Sequence, residues 1–373
     1  MSWLSKLAVE RFRNLQKVEL TLSSGCNLFI GPNGAGKTAL LEAVHYAVRG
    51  RSFRTTQSSA LIGHGLDGFL IRYSLHSDSG VEHQIGVERS RGQKQNVRWD
   101  GERGSFGRSS AMLPMQVIQP MASELVFGGP SERRRWLDWG AFHVEHSYLR
   151  EWRAYMKALR QRNAYLKQLG KGSEEARLLE SYSSQYLSYA DRVDGLRRQF
   201  LEIWRPVFAS YLETLLGDLS AEIDARFNPF GSSKSASLQD LSSEAGEREV
   251  KLGASAYGPH RADLEFSLGP SPLREVASRG QGKLVALALL LSQAALIAQR
   301  RQQRSVFLLD DIFSELDPRS LERLLVAIED TGGQLFVTAP SVVAVPERLK
   351  RLRDREPAVF HVEQGQVTRE TSD

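Results

Sequence analysis

Apolar and polar residues alternate near the start of the chain, with Leu7/Val9 and Val18/Leu20/Leu22 on either side of Arg11-Phe12-Arg13-Asn14. A period of two marks a half-buried strand, so 4–30 reads as a β-hairpin running on into the apolar Leu28-Phe29-Ile30. The alternation returns at Phe69/Ile71/Tyr73/Leu75 and at Val81/His83/Ile85/Val87, with a turn at Asp78-Ser79-Gly80 between them. These strands predict an antiparallel sheet laid beside the one that holds residues 28–30. From residue 149 the period changes. Leu149, Trp152, Met156, Leu159, Asn163 and Leu166 recur every three or four positions, the spacing of an amphipathic helix. After Gly170-Lys171-Gly172, with Ser173 as an N-cap, a heptad seam follows through Leu179, Tyr182, Tyr186, Tyr189, Val193, Leu196, Phe200, Ile203 and Val207. Two such helices around a glycine turn make an antiparallel hairpin, each arm some tens of ångströms long at ~1.5 Å per residue. A Ser/Gly-rich linker, Phe230-Gly231-Ser232-Ser233-Lys234-Ser235, leads back. The longest apolar run, 284–291, reads as a buried helix and falls short of the ~18 residues of a membrane span.

The junction between the first apolar strand and the first helical pattern carries chemistry. Gly31-Pro32-Asn33-Gly34-Ala35-Gly36-Lys37-Thr38 has the spacing G-x-x-x-x-G-K-[ST], between residues 28–30 and the helical run 39–44, which is the context a phosphate-binding loop needs. The backbone N–H groups of Asn33, Gly34, Ala35 and Gly36 can turn around an anion, and the helix N-terminus adds its positive dipole end. Lys37 can reach the β- and γ-phosphates, and the Thr38 hydroxyl can ligate Mg²⁺. The chain is therefore expected to bind a nucleoside triphosphate with Mg²⁺. No Asn-Lys-x-Asp string is present to read guanine.

Ser305-Val306-Phe307-Leu308-Leu309-Asp310-Asp311 is an apolar strand ending in two carboxylates. Ligands of open α/β sheets sit at the carboxyl ends of strands. Asp310 is placed to hold Mg²⁺ through its water shell, and Asp311 to orient or deprotonate the attacking water. A plain turn followed by a helix cap is the bland alternative. Further on the same theme, Ser278-Arg279-Gly280-Gln281 opens an apolar helix and resembles the S-x-G-Q signature of ABC-type ATPases. Ser278, Gly280 and Gln281 form a second anion cradle, which in that class closes over the P-loop of a partner subunit. Ser314-Glu315-Leu316-Asp317 resembles the D-loop of that interface. Gln119 is the candidate Q-loop residue that reaches the metal, and Thr338 stands where the class usually has a switch histidine.

Composition narrows the setting. The formal charge of +5 comes from 49 Lys/Arg against 44 Asp/Glu, and 131–205 alone, with 15 basic and 10 acidic residues, carries the whole excess. Within it, 147–172 has seven basic residues and one acid, Glu151, interleaved with Tyr148, Trp152, Tyr155 and Tyr165. This mixture suits a polyphosphate backbone, or equally a solvated helix face with a core-facing aromatic stripe. A single cysteine, Cys26, precludes an intrachain disulfide and fits a reducing compartment. The first residues lack a signal peptide's apolar core, so the expected location is cytoplasmic, with no membrane partner.

Several strings occur in one order. They are Arg11-Phe12-Arg13-Asn14, Leu41-Glu42-Ala43, Arg51-Ser52-Phe53-Arg54, Gly129-Pro130-Ser131-Glu132-Arg133-Arg134-Arg135-Trp136-Leu137-Asp138, Gly258-Pro259-His260-Arg261-Ala262-Asp263-Leu264 and Leu309-Asp310-Asp311-Ile312-Phe313-Ser314-Glu315-Leu316-Asp317. Together with Ser278-Arg279-Gly280-Gln281 they closely resemble the RecF family of bacterial recombination-mediator ATPases, from about residue 4 to 338. Ala262, where the family usually carries an acid, is a departure. The resemblance implies an α/β fold: an ABC-type P-loop ATPase head related to those of the SMC group, with a mixed sheet, flanking helices and an antiparallel β subdomain. An inserted helical lobe with a short antiparallel hairpin replaces the long coiled coil. The expected division is a head in two parts, 1–130 and 251–373, around a lobe at 131–250. The resemblance also implies a homodimer formed on ATP, sequence-independent binding of duplex and gapped DNA, RecR, RecO and RecA as pathway partners, and slow, DNA-stimulated ATP hydrolysis. Lys37, Asp310 and Asp311 are the expected catalytic residues, Thr38, Asp310 and Gln119 the metal set, and Arg13 joins the nucleotide-binding set. A phosphate-sensing, DNA-facing or plain surface role is open for both Arg13 and Arg54, and a backbone-bonded turn or a nucleotide or interface role for His260. Two other classes compete: an SMC-like DNA-organising protein, which the short arm disfavours, and a transporter ATPase, which leaves the Gly-Pro-His-Arg string unexplained.

Overall fold

The computed structural model describes residues 2–77, 79–169, 176–232, 236–350 and 357–370. The predicted turn at Gly170-Lys171-Gly172 with the Ser173 cap, the end of the linker at 233–235, and Asp78 of the first turn lie outside them. In chain order the elements are β1 (Trp3–Phe12), β2 (Leu15–Thr21), β3 (Cys26–Ile30), α1 (Lys37–Arg49), β4 (Gly68–His76), β5 (Glu82–Ser90), β6 (Asn96–Trp99), β7 (Glu102–Arg103), α2 (Phe106–Met112) and β8 (Met115–Ile118). There follow α3 (Glu124–Phe127), α4 (Pro130–Val144), α5 (Tyr148–Leu169), α6 (Ala176–Leu216), β9 (Ile223–Asn228), α7 (Leu238–Glu244), α8 (Gly246–Leu252), β10 (Asp263–Leu268), β11 (Ser271–Pro272), α9 (Leu273–Val276) and α10 (Arg279–Arg301). The chain ends with β12 (Val306–Leu309), α11 (Pro318–Thr331), β13 (Leu335–Ala339), α12 (Glu347–Lys350), β14 (Ala358–Glu363) and β15 (Gln366–Arg369).

Contacts divide the chain into two units, Met1–Ala122 with Leu287–Asp373, and Ser123–Ala286. The first unit holds two sheets. One has the order β15-β14-β3-β13-β12-β8, and β14, β3, β13, β12 and β8 run parallel to one another. Every residue of β3, β12 and β13 is buried, as strands covered on both faces require. The other sheet, β2-β1-β4-β5-β6-β7, is wholly antiparallel, as the alternations predict. Ile71 pairs with Val9 and Tyr73 with Leu7, so the apolar face of β1 meets that of β4 on one side of the sheet. Val81 is a small miss: it precedes β5 and is exposed, whereas Ile85 and Val87 are buried. The apolar run 284–291 lies inside α10, which is long and apolar enough to cross a membrane but has its central stretch buried in the protein.

The second unit is built on α4, α5 and α6, with β9, β10 and β11 as a three-stranded antiparallel sheet. At ~1.5 Å per residue, the 22 residues of α5 and 41 of α6 span about 33 and 60 Å. Both helices bury part of the predicted seam, Leu159 and Leu166 on α5 and Tyr186, Val193 and Phe200 on α6, but turn inward a face rotated from the rest of it. On α5 the buried residues are Tyr148, Glu151, Tyr155, Ala158, Leu159, Arg162 and Leu166, while Leu149, Trp152, Met156 and Asn163 are only half-buried. On α6 the seam agrees at Tyr186, Val193 and Phe200, then shifts to Arg197, Leu201, Trp204, Phe208 and Leu212. Buried polar groups cause the shift. Arg162 donates to Glu249 Oε2 at 2.6 Å, Ser255 Oγ at 2.7 Å and Ser183 Oγ at 2.9 Å. Its guanidinium also lies 5.1 Å from the centre of the Tyr186 ring. A buried pair of this kind is costly to break from one side. Arg162→Met is expected to lower unfolding stability by about 3–5 kcal/mol, read from the midpoint of a urea titration. Loss of less than about 1 kcal/mol would show that Glu249 finds water or another partner.

Candidate nucleotide-binding site

Residues 31–36 link β3 to α1, and α1 begins at Lys37. Gly34 has φ +80°, with no atom within 4 Å of where a Cβ would stand, so the loop's outer face is open backbone. Asn33 and Gly34 are exposed, whereas Ala35 and Gly36 are buried beneath them. The Lys37 ammonium folds across the loop and donates to the carbonyls of Gly31 at 2.7 Å and Pro32 at 2.9 Å. Burial lowers its pKa, against the pull of Asp311 and Asp310. Those carbonyl bonds are weak competitors for a phosphate oxygen, so an arriving polyphosphate can take the ammonium without unfolding the loop.

Two supports of the loop come from distant sequence. Asn14 Nδ2 donates to the Gly34 carbonyl at 3.2 Å from the β1–β2 turn. Gly365 N donates to the Ala35 carbonyl at 2.8 Å from the β14–β15 turn. Gln364-Gly365 has positive φ at both positions, 46° and 80°, the mark of a tight hairpin turn. That turn signal is legible in the sequence, but its contact with the loop is not.

The carboxylates arrive on β12. Leu309 is paired with Ile118 of β8 on one side and Val337 of β13 on the other, so Asp310 emerges next to Gln119 and Thr338. Asp310 is buried, and its Oδ1 accepts from Thr38 Oγ1 and from Thr338 Oγ1, each at 3.0 Å. Thr338 Oγ1 in turn accepts from Asp311 N at 2.9 Å, which ties the two carboxylate positions together. Burial pushes the Asp310 carboxyl above its ordinary value; the two threonine bonds oppose this, Asp311 adds to it and Arg54 opposes it. A desolvated carboxylate with a hydroxyl on the facing helix is a site short of positive charge, suited to a small hard cation. Among the described residues no cluster of three or more His, Cys, Asp or Glu could hold a metal instead. Asp311 is exposed and has φ 50°, a left-handed conformation that aspartate tolerates better than most residues. Ser314 Oγ donates to its carbonyl at 3.0 Å.

Arg13 binds the helix that follows the P-loop. Its Nε and Nη2 donate to the two carboxylate oxygens of Glu42, each at 2.8 Å, and Nη1 donates to the Ala60 carbonyl at 2.8 Å. Glu42 is fully buried on α1 and also accepts from Ser52 Oγ, with Arg54 3.8 Å away. Arg13 thus anchors α1 to the β1–β2 turn, a role outside the phosphate-sensing, DNA-facing and surface alternatives that the sequence offered.

Two sets of predicted residues belong to the second unit. Ser278 and Gln281 form a reciprocal cap at the start of α10: Gln281 Oε1 accepts from Ser278 N at 2.8 Å, and Ser278 Oγ accepts from Gln281 N at 3.2 Å. Ser278 and Gly280 are exposed, so this helix N-terminus is presented outward. His260 is bonded at both ring nitrogens, to the Tyr155 hydroxyl at 2.7 Å and the Ser255 carbonyl at 3.2 Å, and burial pushes its pKa down to about 4. Gly258 beside it has φ +138°, and a Cβ there would stand 2.2 Å from the Tyr186 hydroxyl, so this turn admits only glycine. The arginine string of α4 closes the same region, Arg133 clasping Asp263 at 2.7 and 3.0 Å and Arg134 donating to the Ala262 carbonyl at 2.7 Å. In the D-loop string, Asp317 caps α11 by accepting from Arg319 N and Ser320 N.

The family model described as "RecF/RecN/SMC N terminal domain" matches residues 3–366. The chain is 34% identical over 367 residues to the DNA replication and repair protein RecF of Shewanella baltica (strain OS223), covering 98% of this chain and 99% of that one. Among solved structures it is similar to the recombination mediator protein RecF-ATP of the RecFOR pathway, at 25% identity and a TM-score of 0.88 over 99% of this chain and 98% of that one. The SMC head domain of Pyrococcus furiosus bound to the C-terminal domain of ScpA is more distant, at 15% identity and a TM-score of 0.59, with coverage of 100% and 97%. That similarity supports the ABC-type head fold alone.

Proposed function

The chain belongs to the RecF family of DNA replication and repair proteins, within the wider RecF/RecN/SMC group, and on that premise we propose that it is an ATP-gated clamp for DNA in recombinational repair. Two copies would sandwich ATP, each giving its P-loop to one nucleotide and its Ser278–Gly280–Gln281 cradle to the other. The observation that carries this reading is the shared hydrogen-bond network in which Asp310 Oδ1 accepts from Thr38 and Thr338 beside the phosphate loop while Thr338 also holds the Asp311 backbone. Bound Mg²⁺, held by Thr38 and Asp310 with Gln119 alongside, would supply charge neutralisation at the β- and γ-phosphates. Lys37 leaves the Gly31 and Pro32 carbonyls for the phosphate oxygens. Asp311 orients the attacking water.

Hydrolysis is slow in this proposal, because most ABC enzymes carry a longer glutamate at the position of Asp311. ATP then serves as a timer for the closed state rather than as a motor. DNA is held through its phosphates, so binding is indifferent to sequence, falls with salt and stimulates turnover. The pathway partners are RecR, RecO and RecA, and the setting is the cytoplasm.

The first test is binding to a fluorescent gapped duplex at fixed salt, with and without ATP. ATP is expected to tighten binding to the duplex arms many-fold over the nucleotide-free protein, and that gain is expected to be lost in Lys37→Arg. Binding that ignores ATP, or is absent with it, would overturn the clamp.

A further inference from the structure

The second unit contains a recess of about 260 Å³, far from the chemistry of the P-loop in sequence and lined by both arginine-rich α4 and aromatic α5. Its walls include Arg134, Arg135, Trp152, Tyr155, Met156 and His260. The volume lies just below the ~300–1,000 Å³ of drug-sized ligand sites, which leaves room for one planar ring and its substituents.

Its polar groups are unevenly satisfied. The recess carboxylate, Asp138, accepts from Arg197 and from the Tyr148 hydroxyl, and Asp263 is clasped by Arg133. The His260 ring is neutral and fully bonded. Arg134 is half-buried and gives one N–H to the Ala262 carbonyl; among the described residues no carboxylate lies in direct ion-pair contact with it, although Asp263 and Asp138 act on it from further off. Arg135 stands half-exposed at the recess and, among the described residues, is ion-paired with the half-exposed Glu132 one turn before it, a surface pair that a phosphate can compete for. The recess therefore carries excess positive charge beside an aromatic and a thioether wall. Outside it, Arg153, Lys157 and Arg160 are exposed on α5 at one residue per turn, on the face adjoining Trp152 and Met156. Two other basic residues of the stretch differ: Arg162 is buried in its ion pair, and Arg150 lies on Glu151.

We propose that this recess is a subsite for one unpaired nucleotide, its base against Trp152 and Met156, its phosphate on Arg134 and Arg135, and its flanking backbone along Arg153, Lys157 and Arg160. A base paired in a duplex cannot enter a recess of this size; a single-stranded one can. The inference rests on the DNA-binding reading and deepens it. It gives the protein a means of sensing unpaired strand beside the duplex that the clamp holds. An acidic peptide would satisfy the charge but has no use for the aromatic wall or the row of cations outside it.

The test uses the full chain without ATP, in the Lys37→Arg background, so that its outcome is independent of clamp closure. An oligothymidylate of about eight nucleotides, within the span of single-strand sites, is titrated while tryptophan emission is followed. Quenching is expected. Trp152→Phe should keep the affinity and lose most of the quench, and Trp152→Ala should weaken binding about tenfold. Arg135→Gln, an exposed change that leaves the fold intact, should weaken binding several-fold and lower the salt slope by about 0.7. Full quenching in Trp152→Phe, unchanged affinity and slope in Arg135→Gln, or equal displacement by polyglutamate would each overturn the subsite. Failure of ATP-dependent duplex capture would leave these results untouched.

Discussion

Asp310→Asn is expected to cut ATP turnover by about 10²–10³-fold, the usual cost of removing one electrostatic partner of a reacting group, while making the nucleotide-free protein more stable. The substitution is nearly isosteric. An asparagine oxygen can still accept from Thr38 and Thr338, the two bonds Asp310 makes at 3.0 Å. What disappears is the charge that draws Mg²⁺. The stability gain follows from the raised pKa of the buried carboxyl. A native carboxyl that holds its proton more tightly than the unfolded one adds stability at low pH and withdraws it as the pH rises through the native value. Wild type should therefore lose ground to Asp310→Asn as the pH climbs above the ordinary aspartate value of 3.8, and the gap should level off once the native group has ionised. Adding Mg²⁺ with ATP should close the gap from the wild-type side, because ligand binding stabilises only the protein that binds it. Thermal melts across pH, run beside phosphate-release assays, check both halves. A variant that is less stable than wild type at neutral pH would mean that Asp310 is already paired with a cation-like partner in the free protein.

The parts of this site that could be read from sequence are those whose geometry is local. A P-loop is a contiguous backbone shape, so eight residues and their flanks suffice to place it. The two carboxylates are legible because an apolar strand must end at the ligand edge of a parallel sheet. Thr338 was visible only as an exception to a pattern. Its bond to Asp310 and its bond from the Asp311 amide depend on the pairing of β12 with β13, which no residue spacing encodes. The supports from Asn14 and Gly365 were hidden for the same reason, since they reach the loop from turns that are remote in the chain. In the helical lobe the limit was different. Apolar periodicity assumes that buried faces are apolar, but Glu151 and Arg162 on α5 and Arg197 on α6 are buried by their partners. A rule that sorts residues by polarity finds Leu159, Leu166, Tyr186, Val193 and Phe200 but rotates the rest of each face away from its buried polar residues. It also miscounts the cations offered to DNA, because Arg162 and Arg197 contribute to the charge sum but not to the surface.

Replacing Asp311 separates holding ATP from splitting it. Among the described residues its side chain makes no hydrogen bond or ion pair that builds the fold: the residue is exposed, and its ties to Thr338 and Ser314 run through the backbone. Asparagine accepts the left-handed φ of 50° as readily as aspartate, so Asp311→Asn should fold, bind ATP and dimerise normally. Without a base for the water, hydrolysis should fall by about 10²–10⁴-fold, and the ATP-bound state should persist on gapped DNA for correspondingly longer. Dissociation after a chase with unlabelled DNA reads that lifetime directly. A variant that hydrolyses slowly but leaves DNA as fast as wild type would show that release does not wait for hydrolysis, and the timer would fail even if the clamp stood. Asp311→Glu tests the opposite direction. One more methylene brings the carboxylate closer to the water, at a cost of about 1 kcal/mol for a less tolerant residue in the left-handed region. Turnover should rise several-fold, and residence on DNA should shorten in step. If turnover is unchanged or slower, reach is not what limits the reaction, and the slow step lies in the closing of the two heads rather than in the length of this side chain.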